Sequence, residues 1–325
     1  MTEIDARQFR PVYFLEGEEP YFIDKIADRL EQTVLTEAEK GFNLQVVYGR
    51  DGNVVDLLSS ARRFPMMSEY QLIIVREAQS LKGLDQVLDY LANPVKSTVL
   101  VFLHKNKKVS KATKLGRELK KYGVFTSNKL YERDVTPWMA NHLKTLGLSI
   151  QPQAAQVLIQ TFGSDLQKIT GELDKARAGL GERKSIEMDD LARGGGIDKE
   201  YNVFELTKSI GKRDLRQSLR IVNYFAKNPK DNPFVLILIN LFNYFKKVHL
   251  VHFQRSTDAA TIAKAIGMSP YFVGEYLTAS RNYQPAKMNQ VFDVLHEFDL
   301  KSKGIGSGKA TDSELLTELV VRLIK

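Results

Sequence analysis

Cysteine is absent from all 325 residues of the chain. Its absence excludes a disulfide scaffold, a zinc site built from thiolates and a cysteine nucleophile. A protein without thiols also fits a reducing compartment, and we expect a cytoplasmic location.

Long apolar runs are missing as well. The longest, Phe234–Phe242, contains Asn240 and is too short to cross a bilayer, so it predicts a buried helix. The opening MTEIDARQFR lacks the apolar centre of a signal peptide. We therefore expect no membrane partner.

A working phosphate loop is missing at the place where a nucleotide-binding fold would carry one. The segment Pro11–Ile23 reads as an apolar strand, a glycine turn and a helix, but Gly17 is followed by Glu18 and Glu19 instead of the lysine and hydroxyl residue of G-x-x-x-x-G-K-[ST]. Two carboxylates suit the positive end of a helix dipole and repel a triphosphate. Arg76 likewise stands where an ATPase would carry the aspartate that holds magnesium. The pattern predicts a degenerate phosphate loop and no nucleotide cofactor, and the alternative is an ordinary α/β domain unrelated to ATPases.

Catalytic and metal-binding patterns are absent too. The five histidines include no pair at a spacing of four residues with a supporting carboxylate, and His249 and His252 are typical of helix-surface or packed positions. No nucleophile elbow or pair of glycosidase-like carboxylates stands out. We therefore predict no catalytic residue and no metal site.

The net charge is +8 and the pI is about 9.3, which favours an acidic partner such as nucleic acid. Basic residues concentrate in the stretch KNKKVSKATKLGR, residues 105–117, and around the glycine-rich stretch GIGSGKAT, residues 304–311. The second stretch is not a phosphate loop, because no strand precedes it and the spacing before its Gly-Lys pair is too short. The alternative is that both stretches are solvated surfaces. Candidate DNA-contacting residues are Lys105, Lys107, Lys108, Lys111, Lys301, Lys303 and Lys309.

Strand and helix signals alternate over the first part of the chain, which predicts a five-stranded parallel sheet covered by helices on both faces. The predicted strands are Val12–Leu15, Leu44–Tyr48, Gln71–Val75, Thr98–Leu103 and Val124–Thr126. The predicted helices between them are Tyr21–Leu35, Val54–Arg62, Leu84–Leu91 and Lys114–Tyr122.

In the remainder of the chain, apolar residues recur at helical spacing, and no further strands are predicted. Thr136 and Pro137 are typical of an N-cap and a first helical turn, and Gly194–Gly196 is a predicted hinge. These signals divide the chain into an α/β domain of residues 1–133, a small helical domain of residues 134–196 and an all-α domain of residues 197–325.

The connection between the second predicted helix and the third strand is unusually apolar. It reads Phe64-Pro65-Met66-Met67 and is bordered by arginines. One interpretation is that the segment folds back into the core. The other is that it is an exposed apolar plug for a partner's pocket, in which methionine adapts its shape and an aromatic ring anchors.

Several segments in their order resemble the delta subunit of the bacterial DNA polymerase III clamp loader. They are YFLEGEEPYFI, PMMSEYQLIIV, PWMANHLKTLGLSIQPQAAQVLIQTFGSDLQKITGELDKA, NVFELTKSIGKRDLRQSLRIVNYF, SPYFVGEYLTASRNY and HEFDLKSKGIGSGK. The resemblance implies an AAA+-like first domain without a working nucleotide site, a helical lid domain and a helical collar domain that assembles with other loader subunits.

The resemblance also implies a function, which is to bind and open the ring-shaped DNA sliding clamp during replication. The clamp-contacting element of the family maps onto Pro65, Met66 and Met67, with Phe64 adjacent, and the methionines replace the more usual Leu and Phe. The implied partners are the sliding clamp, the ATPase subunits, a delta-prime-type subunit and, through the complex, primed DNA. The chain would then be a subunit of a DNA-directed DNA polymerase holoenzyme with no ATPase activity of its own.

Two other classes of function stay open at this point. A divergent P-loop ATPase would bind ATP in isolation. A basic nucleic-acid-binding protein would bind DNA without any clamp, with an affinity that falls as salt is raised.

Overall fold

Short runs rich in valine and isoleucine form the parallel sheet of the first unit. The computed structural model describes residues 2–194, 198, 200–256 and 258–325, and the chain divides into two compact units, Met1–Leu130 and Tyr131–Lys325. The strands of the first unit are β1 (Val12–Gly17), β2 (Leu44–Tyr48), β3 (Gln71–Arg76), β4 (Thr98–Lys105) and β5 (Val124–Ser127). They pair in parallel in the order β2-β3-β4-β1-β5, so the predicted sheet is confirmed.

Helices cover both faces of this sheet. They are α1 (Thr2–Asp5), α2 (Pro20–Val34), α3 (Glu37–Asn43), α4 (Val54–Ala61), α5 (Val87–Leu91) and α6 (Lys114–Tyr122), with 3-10 turns at Ala78–Ser80 and Leu84–Gln86. Successive side chains of β1 alternate between the faces: Phe14 packs in the cluster formed with α4, α5 and α6, and Leu15 in the cluster formed with α1 and α2. Both faces are therefore buried, as expected for a parallel sheet.

The sheet has a topological switch point beside β1. The chain leaves β1 toward the far edge of the sheet, returns through β2, β3 and β4, and then passes β1 to reach β5. In open α/β sheets, ligands bind beyond the carboxyl ends of the strands at such a point. The turn that follows β1 is therefore the position at which a nucleotide would be held.

The described residues of the second unit form helices and one short strand pair. Its first part contains α7 (Glu132–Thr145), β6 (Ser149–Ile150), α8 (Pro152–Phe162), α9 (Leu166–Ala178), β7 (Ser185–Ile186) and α10 (Met188–Arg193). Its second part contains α11 (Val203–Gly211), α12 (Leu215–Lys227), α13 (Phe234–Val251), α14 (Ala259–Ile266), α15 (Val273–Asn282), α16 (Pro285–Ser302) and α17 (Asp312–Ile324), with a 3-10 turn at Pro270–Phe272. The parallel pair β6-β7 was not predicted from the sequence.

The start of the second unit differs from the prediction. Helix α7 begins at Glu132, so Pro137 lies inside the helix instead of in its first turn, and a boundary after residue 133 would cut the helix. Of the predicted hinge, Gly195 and Gly196 lie outside the described residues. The separation of residues 134–196 from residues 197–325 stays a prediction.

Helix α13 is the central helix of its bundle. It extends over 18 residues and is long and apolar enough to cross a membrane by length and composition alone. One side of it is packed in the protein interior, where the buried residues are Phe234, Ile237, Leu238, Leu241, Tyr244, Phe245, Val248 and Val251. We therefore interpret α13 as a core helix. The predicted burial holds for one side only, because Val235, Ile239 and Phe242 are about half exposed.

Candidate functional site

The connection between α4 and β3 places its apolar side chains on the surface. Phe64 is 82% exposed, Met66 is 61% exposed and Met67 is fully exposed at 101%. Pro65 is half-buried. The interpretation that this segment folds back into the core is therefore wrong, and we call the segment Phe64–Met67 the methionine turn.

The end of α3 holds the methionine turn in place. Asn43, the last residue of α3, is only 5% exposed. Its Oδ1 accepts a hydrogen bond from the Met66 backbone nitrogen at 2.7 Å, and its Nδ2 donates to the Met66 carbonyl oxygen at 2.9 Å. One side chain thus satisfies both polar groups of the Met66 backbone.

The residue after the turn has its own contact with α3. The Ser68 side chain lies near the Glu39 carboxylate. That carboxylate accepts a hydrogen bond from the backbone nitrogen of Thr36 at 2.8 Å. The Thr36 contacts, with a smaller contribution from Ser68, lower the pKa of Glu39. Met67 therefore lies between Met66, which is hydrogen-bonded to α3, and Ser68, which lies near it.

Helix α3 and the role of Asn43 were not predicted from the sequence. The helix has seven residues, includes Gly41 and lacks an apolar stripe, so periodicity does not reveal it. A signal was present, because Thr36 and Glu39 have the spacing of a capping box.

The phosphate-loop position is occupied by the chain itself. The backbone nitrogens of Glu18 and Glu19 donate to the carbonyl oxygen of Ser127, at 2.9 and 3.4 Å. A Cβ built on Gly17 would lie 1.9 Å from the same oxygen, and Gly17 has φ +138°. The end of β5 thus packs directly against the turn that follows β1.

Glu19 is the N-cap of α2. It is 4% exposed, and its Oε1 accepts from the backbone nitrogen of Tyr21 at 3.0 Å. Pro20 follows and has no backbone N–H to offer an anion. Only Glu18 of the pair is exposed, whereas Glu19 lies at the start of α2, where the sequence predicted an acidic side chain.

The chain after β4 closes over the same position. Glu16 accepts a hydrogen bond from the Val109 backbone nitrogen at 2.7 Å, and the backbone of Lys107 forms an isolated bridge with Gly17. Lys105 forms an ion pair with Asp24 of α2 at 2.6 Å, with side-chain exposures of 15% and 22%. The amide groups and the cation at the switch point are therefore engaged within the chain.

The predicted DNA-contacting lysines fall into two groups. Lys105 and Lys301 are half-buried in ion pairs, the second with Glu297 and Glu318. Those whose side chains are exposed are Lys107, Lys108, Lys111, Lys303 and Lys309, of which Lys108 donates to Asn128 at 2.7 Å and Lys303 pairs with Asp299 at 2.7 Å. A DNA contact from this set stays a prediction and now depends on the exposed members.

The second unit also presents an apolar surface. Val235, Ile239 and Phe242 follow each other at spacings of four and three along α13, and they are 47%, 50% and 47% exposed. This spacing places them on one face of the helix, opposite the face that packs in the core. We call them the α13 stripe.

No candidate metal centre is found in the described part of the chain, which contains no group of three or more His, Cys, Asp or Glu side chains able to hold an ion.

The family models and the curated relatives that match this chain all point to the same family. The model of the "DNA polymerase III, delta subunit" family matches residues 13–128, and that of the "DNA polymerase III delta subunit, C-terminal domain" matches residues 200–323. The chain is similar to DNA polymerase III subunit delta of Bacillus subtilis, with 26% identity over 98% of this chain and 94% of the relative. It is also similar to the probable DNA polymerase III subunit delta of Aquifex aeolicus, with 23% identity over 65% of this chain and 63% of the relative.

A solved structure agrees with these matches. The DNA clamp loader delta protein of Bacillus subtilis superposes with a TM-score of 0.55 at 23% identity, over 99% of this chain and 98% of that one. This likeness supports the predicted fold class, an α/β domain with a five-stranded parallel sheet followed by a helical region. The two family models between them match both units, and the chain belongs to the family of the delta subunit of DNA polymerase III.

Proposed function

We propose that this chain binds the ring-shaped DNA sliding clamp and opens it, as a non-catalytic subunit of the clamp loader. Membership of the delta family supports a role in DNA replication. The observation that carries the finer proposal is the methionine turn, whose apolar side chains Phe64, Met66 and Met67 are exposed on a firmly tethered segment.

An exposed apolar turn of this kind suits a partner's pocket. A thioether side chain is flexible and polarisable, so Met66 and Met67 can adapt their shape to a partner's pocket. The ring of Phe64 would anchor the turn in that pocket. Burying such a side chain releases about 1.5–3 kcal/mol of hydrophobic free energy. Binding would favour the open ring only by the difference between the affinities for the open and closed states.

Truncation of the turn tests this proposal. The double variant Met66→Ala/Met67→Ala should weaken binding to the immobilised cognate clamp by about 2–4 kcal/mol, the scale of hot-spot residues, in surface plasmon resonance. Its melting temperature should stay near that of the wild type because both side chains are exposed. Val55→Ala, at a side chain that is 61% exposed on α4, is the matched control and should bind normally. Unchanged clamp affinity in the double variant would falsify this role of the turn.

ATP hydrolysis in the loader would then belong to other subunits. The proposal that this chain holds no nucleotide is supported by the engagement of the Glu18 and Glu19 amides with Ser127 and by the cap that Glu19 forms on α2. The alternative of a divergent P-loop ATPase requires these contacts to open.

The remaining partners would bind through the second unit. We place the ATPase subunits and the delta-prime-type subunit against the helical region that includes the α13 stripe, since an exposed apolar row at helical spacing is typical of a protein–protein surface. Primed DNA would be reached through the assembled complex. These roles are those of a cytoplasmic replication protein.

A further inference from the structure

We infer that Asn43 is a positioning residue, which fixes the methionine turn in the conformation that it presents to the clamp. This inference rests on the proposed function, because it names the device that prepares the proposed clamp-binding segment. Asn43 is 5% exposed, so we expect it to act through Met66 without touching the partner.

The contact between Asn43 and Met66 has two points. The carboxamide accepts from the Met66 nitrogen at 2.7 Å and donates to the Met66 carbonyl at 2.9 Å. The same Nδ2 lies 3.2 Å from the carbonyl oxygen of Glu39 in α3, which fixes the rotation of the carboxamide. A residue whose backbone N–H and C=O are both bonded to one side chain can neither slide nor turn over without losing a hydrogen bond.

The contacts of Asn43 with Met66 hold the next residue, Met67, in a backbone conformation that methionine rarely adopts. Met67 has φ +52°, in the left-handed region, although it is not glycine. For a residue with a Cβ this conformation costs about 1–2 kcal/mol. It persists here directly after Met66, whose backbone N–H and C=O are both hydrogen-bonded to Asn43. The outcome is a methionine that is fully exposed on an ordered backbone.

A turn that is ordered before binding gains affinity. Fixing one backbone residue costs about 1–2 kcal/mol, and immobilising a flexible side chain adds about 0.5–1.5 kcal/mol. With Asn43 in place, the backbone of the turn is already ordered in the free protein, so binding does not include this entropy cost. Without the carboxamide, the turn would become ordered only on binding. An increase of about 1.4 kcal/mol in the binding free energy weakens binding tenfold.

The test compares two asparagines of the same unit. Asn43→Ala should weaken clamp binding about tenfold, measured by surface plasmon resonance. Asn53→Ala is the matched control, because Asn53 caps α4 through the Val55 nitrogen at 2.8 Å and has no contact with the turn. The control should lose stability but keep its clamp affinity. Equal affinity of the wild type and Asn43→Ala overturns the inference.

A double-mutant cycle separates this inference from the proposed function. If Asn43 acts through the methionines, Asn43→Ala should have no further effect in the Met66→Ala/Met67→Ala background. An undiminished tenfold loss in that background overturns the positioning role. If the methionine variant itself binds normally, the proposed clamp-binding site is wrong, whatever Asn43 does.

Two further measurements serve if Asn43→Ala does not fold. Asn43→Asp keeps the acceptor for the Met66 nitrogen but turns an acceptor toward the Met66 carbonyl, and it should also bind at least tenfold more weakly. Hydrogen exchange on the unmodified protein requires no variant. The Met66 amide should be protected, whereas that of an untethered turn exchanges freely. A fast-exchanging Met66 amide overturns the inference.

Discussion

The carbonyl oxygen of Ser127 lies 2.9 Å from the backbone nitrogen of Glu18, at the switch point of the sheet. A backbone amide that a phosphate would need therefore already has a partner within the chain. The same oxygen also accepts from Glu19, so one carbonyl at the end of β5 serves two donors of the turn after β1.

The first prediction is that the isolated protein does not bind ATP. The isolated protein should show no saturable binding of Mg-ATP at millimolar concentration in isothermal titration calorimetry, because the amides of Glu18 and Glu19 are engaged and the turn carries carboxylates. An intact ATPase subunit of the loader is the positive control. A saturable isotherm in that range contradicts the prediction and favours the divergent ATPase.

A second prediction uses two glycines of the first unit. Gly17→Ala should lower stability by about 2 kcal/mol or more, because its Cβ would meet the Ser127 carbonyl and its φ is +138°. Gly41→Ala, in α3, meets nothing within 4 Å and should raise stability by about 0.5–1 kcal/mol. Urea unfolding of both variants measures the two changes in the free energy of unfolding, which should have opposite signs. If Gly17→Ala is as stable as the wild type, the end of β5 can move away from the turn.

A third prediction concerns pH and Glu275 in α15. Burial raises the pKa of Glu275 to about 7 from 4.5, so the folded state binds a proton that the unfolded state releases between these values. The ionised carboxylate then destabilises the fold above pH 7, by up to about 3 kcal/mol at 1.36 kcal/mol per pKa unit. Glu275→Gln should raise the melting temperature at pH 8 and have little effect at pH 4.5. A constant difference at both pH values would contradict this assignment.

Glu297 in α16 should behave in the opposite way. Hydrogen bonds from Arg322 and Lys301 lower its pKa to about 2, so it stabilises the fold above its unfolded pKa of 4.5 and loses that contribution as the pH falls toward 2. Glu297→Gln should therefore lower the melting temperature at pH 7 and have no effect near pH 2. Because the side chain is 42% exposed, we expect the contribution to be under about 1 kcal/mol.

A fifth prediction tests the α13 stripe. Ile239→Lys should prevent co-purification with the ATPase subunits while the melting temperature changes little, since Ile239 is half exposed. Ile305→Lys, at a side chain that is 60% exposed in the loop before α17, is the matched control and should assemble normally. If Ile239→Lys also assembles normally, loader contacts lie elsewhere on the chain.

The sheet could be predicted because its signal is local. Runs such as Leu72–Val75 are apolar throughout, and both faces of the strand are buried at 0–1% exposure. The exposure of the methionine turn could not be decided in the same way, because composition does not tell a buried loop from an exposed one. Asn43 depends on a tertiary contact with residue 66, which no local pattern encodes.

Charged residues were the least predictable part of the candidate site. Lys105 is one of several lysines in a basic stretch, yet its ion pair with Asp24 joins residues 81 positions apart. Glu19 lies beside Glu18 in the sequence, but one caps a helix and the other faces solvent. A sequence shows which charges are present, whereas the fold decides which of them are neutralised.

The full exposure of Met67 has a chemical consequence. Among the methionines that the structure describes, Met66 and Met67 present exposed sulfur-bearing side chains, and the chain has no thiol that an oxidant would attack first. Peroxide is therefore expected to convert this pair to sulfoxides before the buried methionines. A sulfoxide is polar and no longer suits an apolar pocket, and methionine sulfoxide reductases reverse it. The same side chains that would engage the clamp thus make that contact sensitive to oxidative stress.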